Sequence, residues 1–546
     1  MNQQLSEQTG LAATTATSDV RFTLLPFPKV TVSNLRIASV DGLALARISS
    51  ADAYLRLLDL IGGRYRFNGF SLQEPIIDAR SRAARDAWRR AGLALMESES
   101  EAGVSLVGHV AIANGAVLAS PEPLTGVTGT IVWHGANSPL SIWGVGRWKG
   151  ETSEVRLSDL RLGDYLRGRD ATPFRLALSS PLARLEAEGS IFGAAPPRGE
   201  AMIKADVKSS SGLSRWLGAQ APLSGLVDRY SFEGASTFSA RGFSSPSVIF
   251  TAAGSRFEGT LALRFEEQRP QISGTLATHA LDFDALGVAV DSVRDEGGAW
   301  SSDRFDASLL RQSDADIRVS AGRVRLMGAR IQDAAISIML KDGRLEFVLG
   351  RSAAYQGEVR GRASLQANDD ARVEARLQLH FENLDVGDAM QDIAGRKLVT
   401  GRGQGQVQLE SAGESAIAVA QNLSGKLTTE LRDGDLAGLN LIEAVRRPDR
   451  NATNPLDLAR GRTSFSVLQT SATLANGVAD VRDATLASGP VHAQASGEIS
   501  IRDQFIKLEG NARAPSIPGD GLPFSLRGPL RQPDFRWDFV SALKRI

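Results

Sequence analysis

Apolar and polar residues alternate one by one along several long stretches of this chain. The clearest stretch runs from Arg372 to Glu382, and its apolar members are Val373, Ala375, Leu377, Leu379 and Phe381. A second stretch runs from Phe257 to Glu266, with Leu261, Leu263 and Phe265 on its apolar side. Successive side chains of a β-strand point to opposite faces of the sheet. Each stretch therefore predicts a strand with one apolar face and one wet face.

Turn signals lie between these strands. Asp342-Gly343, Asp433-Gly434 and Asn476-Gly477 are dipeptides that favour two-residue hairpin turns, and we predict a turn at each. The segment Val104–Ala119 predicts two short strands around Asn114-Gly115. The glycines of GRGQGQ (401–406) lead into a strand pattern rather than a helix, so they predict a bulge or tight turn instead of a phosphate-binding loop.

Helices are predicted to be few and short. The best candidate runs from Ser81 to Met96, and shorter ones cover Leu213–Leu217, Asp388–Ile393 and Leu439–Arg447. An α/β architecture needs about one helix for each strand, which this sequence does not supply. The predicted fold class is therefore mainly β.

A long series of one-sided strands presents an apolar face that water disfavours. The sheet can cover that face by closing on itself as a sandwich or barrel. Alternatively, it can curl into a trough that another apolar molecule fills, because a large exposed apolar face marks an interaction surface. The alternation of residues leaves both arrangements open.

Composition excludes several classes of function. The chain has 62 Lys+Arg and 62 Asp+Glu, so it lacks the basic excess expected of a nucleic-acid-binding protein. It contains no cysteine, which removes disulfides, thiol nucleophiles and Cys-ligated metals. The five histidines are far apart, and no phosphate-binding or nucleophile motif is present. We therefore expect no enzyme activity, no metal and no cofactor.

No window reaches the roughly 18 apolar residues that a membrane-spanning helix needs. Residues 1–20 also lack the basic start and apolar centre of a signal peptide.

Two regions resemble the AsmA family of bacterial envelope proteins. Near the N-terminus these are TLLPFPKVTVSNLRI (23–37) and ADAYLRLLDLIGGRYRFNGFSLQEPIIDAR (51–80). Near the C-terminus the resemblance covers residues 401–447 and 462–510 and ends in FSLRGPLRQPDFRWD (524–538). The resemblance implies an AsmA-like N-terminal module in residues 1–100, a repetitive β-groove in residues 101–390 and an AsmA-like C-terminal module in residues 391–546.

AsmA-like proteins are similar to bridge-like lipid transfer proteins, so the resemblance implies a chorein-like start and a long curled antiparallel sheet that forms an apolar groove. The implied partners are phospholipid acyl chains, the inner membrane and other envelope proteins, and the implied setting is the periplasmic face of the inner membrane. The implied role is the movement or shielding of phospholipid between the inner and outer membranes, with an effect on outer-membrane protein assembly or targeting. The groove would be lined by Leu261, Leu263, Phe265, Val373, Leu377, Leu379 and Phe381.

The chain departs from the family pattern at its start. Family members open with a membrane anchor and a short segment that ends in Thr-Gly, and Gln8–Gly10 matches only that last piece. We expect the anchor to be encoded upstream of a truncated start; the alternative is a soluble member of the family. Two alternative functions remain: a filled β-sandwich scaffold for outer-membrane assembly that carries no lipid, and a carbohydrate-active β-enzyme, which would need a suitably spaced carboxylate pair.

Overall fold

The computed structural model describes residues 11–14, 20–39, 41–56, 67–102, 108–119, 122–135, 138–168, 170–193, 198–218, 227–265, 269–285, 299–305, 310–311, 313–368, 372–437, 461–515, 521–530 and 533–537. The chain forms two compact units, Met1–Ala252 and Ala253–Ile546. The three-part division into modules stays a prediction.

The first unit is built from strands that follow one another along the chain. They are β1 (Leu11–Thr14), β2 (Val20–Thr23), β3 (Lys29–Ser39), β4 (Ala44–Leu55), β5 (Phe67–Gln73), β6 (Ile76–Asp78), β7 (His109–Leu118), β8 (Leu124–Val132), β9 (Pro139–Trp148), β10 (Glu151–Arg161), β11 (Ala171–Ser179), β12 (Ala183–Phe192), β13 (Arg198–Val207), β14 (Tyr230–Ser239) and β15 (Gly242–Ala252). From β7 to β15, each strand pairs antiparallel with the next.

The start of the first unit is less regular. Strands β1 and β2 both pair with β3, and β3 pairs with β4. Strands β5 and β6 both pair with β4 on one side and, in parallel, with β7 on the other. Helix α1 (Arg82–Ala102) connects β6 to β7, as a parallel pairing requires.

The second unit follows the same plan. Its strands are β16 (Ser255–Phe265), β17 (Pro270–Asp282), β18 (Asp314–Leu326), β19 (Ala329–Lys341), β20 (Arg344–Ala354), β21 (Gly357–Ala367), β22 (Val373–Asp385), β23 (Arg402–Gly413), β24 (Ser424–Ala437), β25 (Arg462–Ala475), β26 (Val478–Ser488), β27 (Val491–Ser500), β28 (Phe505–Arg513), β29 (Leu522–Pro529) and β30 (Asp534–Trp537). Consecutive strands pair antiparallel, except that β17 and β18 are parallel.

The predicted fold class is confirmed, since strands dominate and helices are few and short. One detail of the prediction is wrong: the strand pairing is mixed rather than wholly antiparallel. The connections from β6 to β7 and from β17 to β18 are long enough to return to the same end of the sheet, and this return permits parallel pairing.

Besides α1, the helices are α2 (Leu162–Arg167), α3 (Ser210–Leu217), α4 (Val386–Ala394) and α5 (Ala416–Gln421). Three predicted helices are confirmed as α1, α3 and α4, whereas the sequence did not reveal α2 and α5. The predicted helix Leu439–Arg447 lies outside the described residues. The carboxylate of Asp385 caps α4 by accepting a hydrogen bond from the Asp388 backbone N–H at 3.0 Å.

Two of the predicted hairpin turns are confirmed. Asp342-Gly343 and Asn476-Gly477 both have positive φ at each residue, as the predicted turn type requires. The prediction of a hairpin turn at Asp433-Gly434 is wrong, because both residues lie inside β24 and Gly434 pairs with Phe465 of β25. A Cβ at Gly434 would clash with the Thr400 carbonyl oxygen, so glycine is needed there for close packing of the chain.

Residues 104–107 of the predicted segment Val104–Ala119 lie outside the described residues. In the part that is described, one strand, β7, replaces the two predicted strands and has an irregularity at Asn114 and Gly115. This irregularity of β7 lies beside the interruption between β5 and β6, where the backbone of Glu74 has a φ of 49°. In GRGQGQ, Gly403 and Gly405 lie within β23, and the register shift lies opposite them in β22, between Phe381 and Leu384. The bulge is therefore in the neighbouring strand.

Candidate functional site

The apolar side of each strand in the second unit continues across its neighbours. On β22, Leu377 lies directly opposite Ala363 of β21 and Leu409 of β23. Following such partners from strand to strand gives one continuous series, which we name the first apolar row. Its members are Leu261, Gly274, Ile317, Ile338, Phe347, Ala363, Leu377, Leu409, Gly425, Leu474, Ala479, Ile499 and Ile506.

Two further rows lie on the same face. The second apolar row consists of Gly259, Leu276, Val319, Ile336, Leu349, Gly361, Leu379, Val407, Leu427, Ala472, Val481, Gly497, Leu508 and Leu526. The third apolar row is shorter and consists of Leu263, Ile272, Ala315, Leu340, Leu345, Leu365 and Ala375. None of these side chains carries a polar atom, so the three rows have no side-chain groups that would fix a ligand in one place.

The opposite face is polar. Gln378 lies between Arg362 of β21 and Gln408 of β23. On β24 the carboxylate of Glu430 accepts hydrogen bonds from Arg432 and Gln469, and these bonds hold its pKa below the usual range. Alternation therefore places a wet charged face behind an apolar one, as the sequence predicts.

The apolar face is not equally accessible along its length. In the second apolar row, Ile336 is only 3% exposed and Val319 only 6%. Leu377 in the first row and Leu365 in the third are each 37% exposed, and Phe265 at the end of β16 is 56% exposed. The face is thus closed over β18 and β19 and more open at β21 and β22.

The residues predicted to line a groove all lie on this face of their strands. Leu261 and Leu377 belong to the first row, Leu379 to the second and Leu263 to the third. Val373 is buried, with 7% of its surface exposed. The ring of Phe381 lies over Gly405, where a Cβ would come within 2.8 Å of the ring Cζ.

The two strands that carry these residues, β16 and β22, belong to one sheet. The five strands from β17 to β21 lie between them in the pairing order. The sequence predicts each strand separately, and it did not reveal that their apolar sides are linked through these five.

The first unit has a comparable row, but helices cover part of it. The row consists of Phe22, Val30, Ala53, Phe70, Val110, Ile131, Ile142, Leu157, Leu176, Ala187, Ile203, Gly234 and Val248. Side chains of α1 and α2 pack in the same cluster as Ile142 and Leu157, and they are Leu93, Leu162, Tyr165 and Leu166. This part of the face is therefore a filled core.

A cavity of about 630 Å³ lies on the charged side of β8–β13, where it is lined by Trp143 and several charged residues. Charges that line it pair with one another: Arg175 contacts Glu188 at 2.7 Å, and Arg184 contacts Glu186 at 2.9 Å. Since these groups already have partners, the cavity offers less for a ligand than the apolar face does.

Within the described ranges, no group of three or more His, Asp or Glu side chains is placed to hold a metal ion. Among the helices in that part of the chain, none is both long enough and apolar enough to cross a membrane.

The second unit is thus mainly β, with a polar face on one side of its strands and a continuous apolar face on the other. The AsmA family model matches residues 236–484. The chain is 24% identical over 241 residues to the AsmA family protein YhjG of Escherichia coli (strain K12), covering 40% of this chain and 34% of that protein. It is 22% identical over 316 residues to Protein AsmA of the same organism, covering 54% and 51%.

These matches confirm the resemblance to the AsmA family seen in the sequence. It spans about a third of the length of one curated relative and about half of the other. No solved structure matches the chain.

Proposed function

We propose that this protein carries or shields phospholipid acyl chains on the apolar face of its second unit. The observation that carries the proposal is the first apolar row, which runs without a polar side chain from β16 to β28. Twelve strand spacings of about 4.8 Å amount to about 58 Å. That path is several times the roughly 15 Å half-thickness of the hydrocarbon layer of a bilayer.

The physical chemistry of such a face suits transport. Removing an acyl chain from water gains about 0.8 kcal/mol for each buried CH₂ group. Because the rows offer no hydrogen-bonding side chains, an acyl chain gains similar contacts at each strand and meets no strong trap. Movement of this kind needs no catalytic residue, which agrees with our expectation that the protein is not an enzyme and requires no cofactor.

The resemblance to the AsmA family supports the cellular setting that we propose. We infer that the chain acts at the periplasmic face of the inner membrane, supplies phospholipid toward the outer membrane and thereby affects the assembly or targeting of outer-membrane proteins. Cell fractionation of the full-length gene product tests the location. Recovery in the cytosol would contradict it.

The test of lipid binding uses two neighbouring residues on opposite faces. Leu377→Asp places a carboxylate on the open part of the first apolar row, where it would be costly to desolvate beside acyl chains. Gln378→Asp adds the same charge on the wet face. We expect organic extracts of the purified wild-type protein and Gln378→Asp to contain phospholipid, and extracts of folded Leu377→Asp to contain much less. Equal lipid in all three proteins, or none in the wild type, would overturn the proposal.

One observation favours a second candidate. The low exposure of Val319 and Ile336 is also what a self-filled β-core would show. Under that alternative, the protein is a scaffold for outer-membrane assembly that carries no lipid. Leu377→Asp would then unfold the protein instead of only reducing the amount of bound phospholipid.

A further inference from the structure

A short connection in the first unit holds large apolar side chains out in water. It joins β2 to β3 through residues Leu24 to Pro28. Leu25 is 78% exposed and Phe27 is 67% exposed, the two highest values among the large apolar side chains that the structure describes. Phe22 and Leu24 are 58% and 51% exposed. We name residues 22–27 the apolar tip. Side chains of this size are normally buried, so their joint exposure at a narrow turn marks a contact surface.

The backbone of the apolar tip is suited to leave water. A chain segment that enters lipid loses the water that satisfies its N–H and C=O groups. Pro26 and Pro28 have no N–H to satisfy. The carbonyl oxygen of Pro28 already accepts a hydrogen bond from the Leu55 N–H at 2.8 Å. The connection therefore exposes fewer unpaired polar groups than an ordinary loop of the same length.

Basic side chains stand at the base of the apolar tip. Arg21 precedes it on β2 and is exposed. Arg56 is also exposed and directly follows Leu55, the residue bonded to Pro28. Lys29 is paired with Asp52 at 2.8 Å, so it adds little net charge. Apolar side chains at the end of a loop with arginines behind them match the layering of a bilayer leaflet, in which acyl chains lie beneath anionic headgroups.

The apolar tip also lies at the beginning of the apolar row of the first unit. Phe22 is the member of that row on β2, and it pairs with Val30 of β3. A bilayer that surrounds the tip would therefore meet the apolar face of this unit at its first strands.

We propose that the apolar tip inserts into the headgroup–acyl boundary of a phospholipid bilayer, with Arg21 and Arg56 contacting anionic headgroups. This inference extends the proposed function by naming the segment that touches the membrane. It does not require lipid to travel along the apolar rows of the second unit, so the two proposals can fail separately.

The chain contains no cysteine, so one introduced cysteine gives a single labelling site. Phe27→Cys carries an environment-sensitive fluorophore at the tip, and Met327→Cys, at a residue 59% exposed in the second unit, is the matched control. With vesicles of phosphatidylcholine and phosphatidylglycerol, we expect brighter, blue-shifted emission from the fluorophore on the Phe27→Cys variant. The fluorophore on the Met327→Cys variant should not change.

Two outcomes of this labelling experiment would contradict the proposal. If the fluorophore at the tip does not respond to vesicles, the proposal is wrong. If its emission changes with protein concentration in the absence of vesicles, the tip is a contact between copies of the chain, and the proposal is also wrong.

A second measurement uses charge without a label. Leu25→Asp/Phe27→Asp should lower the partition coefficient for the same vesicles by about tenfold or more, because two carboxylates would have to enter the acyl boundary. Met327→Asp/Ile393→Asp adds two charges at residues that are 59% and 60% exposed, and it should bind as the wild type does. All four residues are exposed, so both double variants should keep the wild-type melting temperature. Equal binding by the two double variants would overturn the proposal, whether or not lipid co-purifies with the wild type.

Discussion

Leu377 of β22 and Leu409 of β23 lie directly opposite each other, and both belong to the apolar side of their strands. Cross-strand pairs of this kind contribute to the stability of a sheet. Here the same pair also forms one link of an apolar row, and Leu377 remains 37% exposed. The link therefore stabilises the sheet while leaving part of its surface free.

The difference in burial between two positions of the apolar face predicts different costs of truncation. Ile336→Ala should lower the free energy of unfolding by about 2–5 kcal/mol, because it leaves a cavity in a closed region. Leu377→Ala should cost no more than about 1–2 kcal/mol, because its side chain is already partly in water. Chemical denaturation of each variant measures both values. Equal large losses would mean that Leu377 is core, and the scaffold alternative would then be favoured over lipid carriage.

A bulky residue in the first apolar row should obstruct it. Ala363 lies between Phe347 and Leu377, so Ala363→Trp places a large ring at a small member of the row, between two bulky ones. We expect the amount of co-purifying phospholipid to fall at least about twofold, since the ring would occupy acyl-chain contact area. The control is Arg362→Trp, whose ring lies on the wet face. The prediction is wrong if the two variants retain equal lipid while both remain folded.

One ion pair network should make stability depend on pH. Arg330 donates to the Asp392 carboxylate at 2.5 Å, and the Tyr355 hydroxyl donates to it at 2.9 Å. Burial alone would raise the pKa of Asp392, but hydrogen bonds from Arg330 and Tyr355 outweigh burial and lower it. A carboxyl group whose pKa is lowered by folding stabilises the protein above its unfolded pKa of about 3.9. That contribution is lost as the pH falls through the lower pKa of the folded state.

Asp392→Asn should therefore cost on the order of 1–2 kcal/mol at pH 7. The difference in unfolding free energy between this variant and the wild type should become smaller as the pH falls below about 4. Asp388→Asn removes the same charge from α4, but the Asp388 side chain is 44% exposed against 18% for Asp392. Water therefore screens its pair with Lys397 more strongly, and the loss should be smaller. Thermal unfolding of both variants and the wild type, measured from roughly pH 3 to pH 7, compares the two losses of stability. If the stability difference between Asp392→Asn and the wild type does not change with pH, the charge of the carboxylate is not what stabilises the protein.

Replacing either of two glycines with alanine should change the stability of the protein, but in opposite directions. A Cβ at Gly405 would lie 2.6 Å from the Thr428 carbonyl oxygen, so Gly405→Ala should destabilise the protein by about 1–3 kcal/mol. At Gly92 in α1, the nearest atom is a Leu166 methyl carbon at an ordinary 3.6 Å. Gly92→Ala should therefore stabilise the helix by about 0.5–1 kcal/mol. Melting temperatures that move in the same direction for both variants would contradict the packing described at Gly405.

The sequence predicts which side chains share a strand face, because alternation is a local property. Leu377 and Leu379 lie on one side of β22 and Gln378 on the other, as predicted. The sequence does not reveal how the face is closed, because burial depends on strands that are distant in sequence. Ile336 and Leu377 both look like ordinary alternating residues, yet their exposed fractions differ by more than tenfold, 3% against 37%.

Non-local packing also explains the errors. Asp433-Gly434 has the composition of a hairpin turn, but the residues around Thr400 pack against it, and the glycine provides room for them. The parallel pairing of β17 with β18 leaves no mark in either strand, because both alternate like their antiparallel neighbours. Members of the apolar rows such as Ile317 and Phe347 were missed as groove candidates because their strands alternate over shorter stretches.

The first apolar row contains bulky side chains as well as Gly274, Ala363, Gly425 and Ala479. The one property that all its members have in common is the absence of a polar side-chain atom. No particular residue is required at a given strand for the row to stay apolar. Exchanges among leucine, isoleucine, valine, phenylalanine and alanine would leave the character of the surface unchanged, whereas a shift of one residue in register would bring the mostly polar side chains of the opposite face to this surface. Selection on such a protein should therefore act weakly on residue identity and strongly on insertions and deletions within strands, so that its descendants diverge in sequence while they keep strand lengths and alternation.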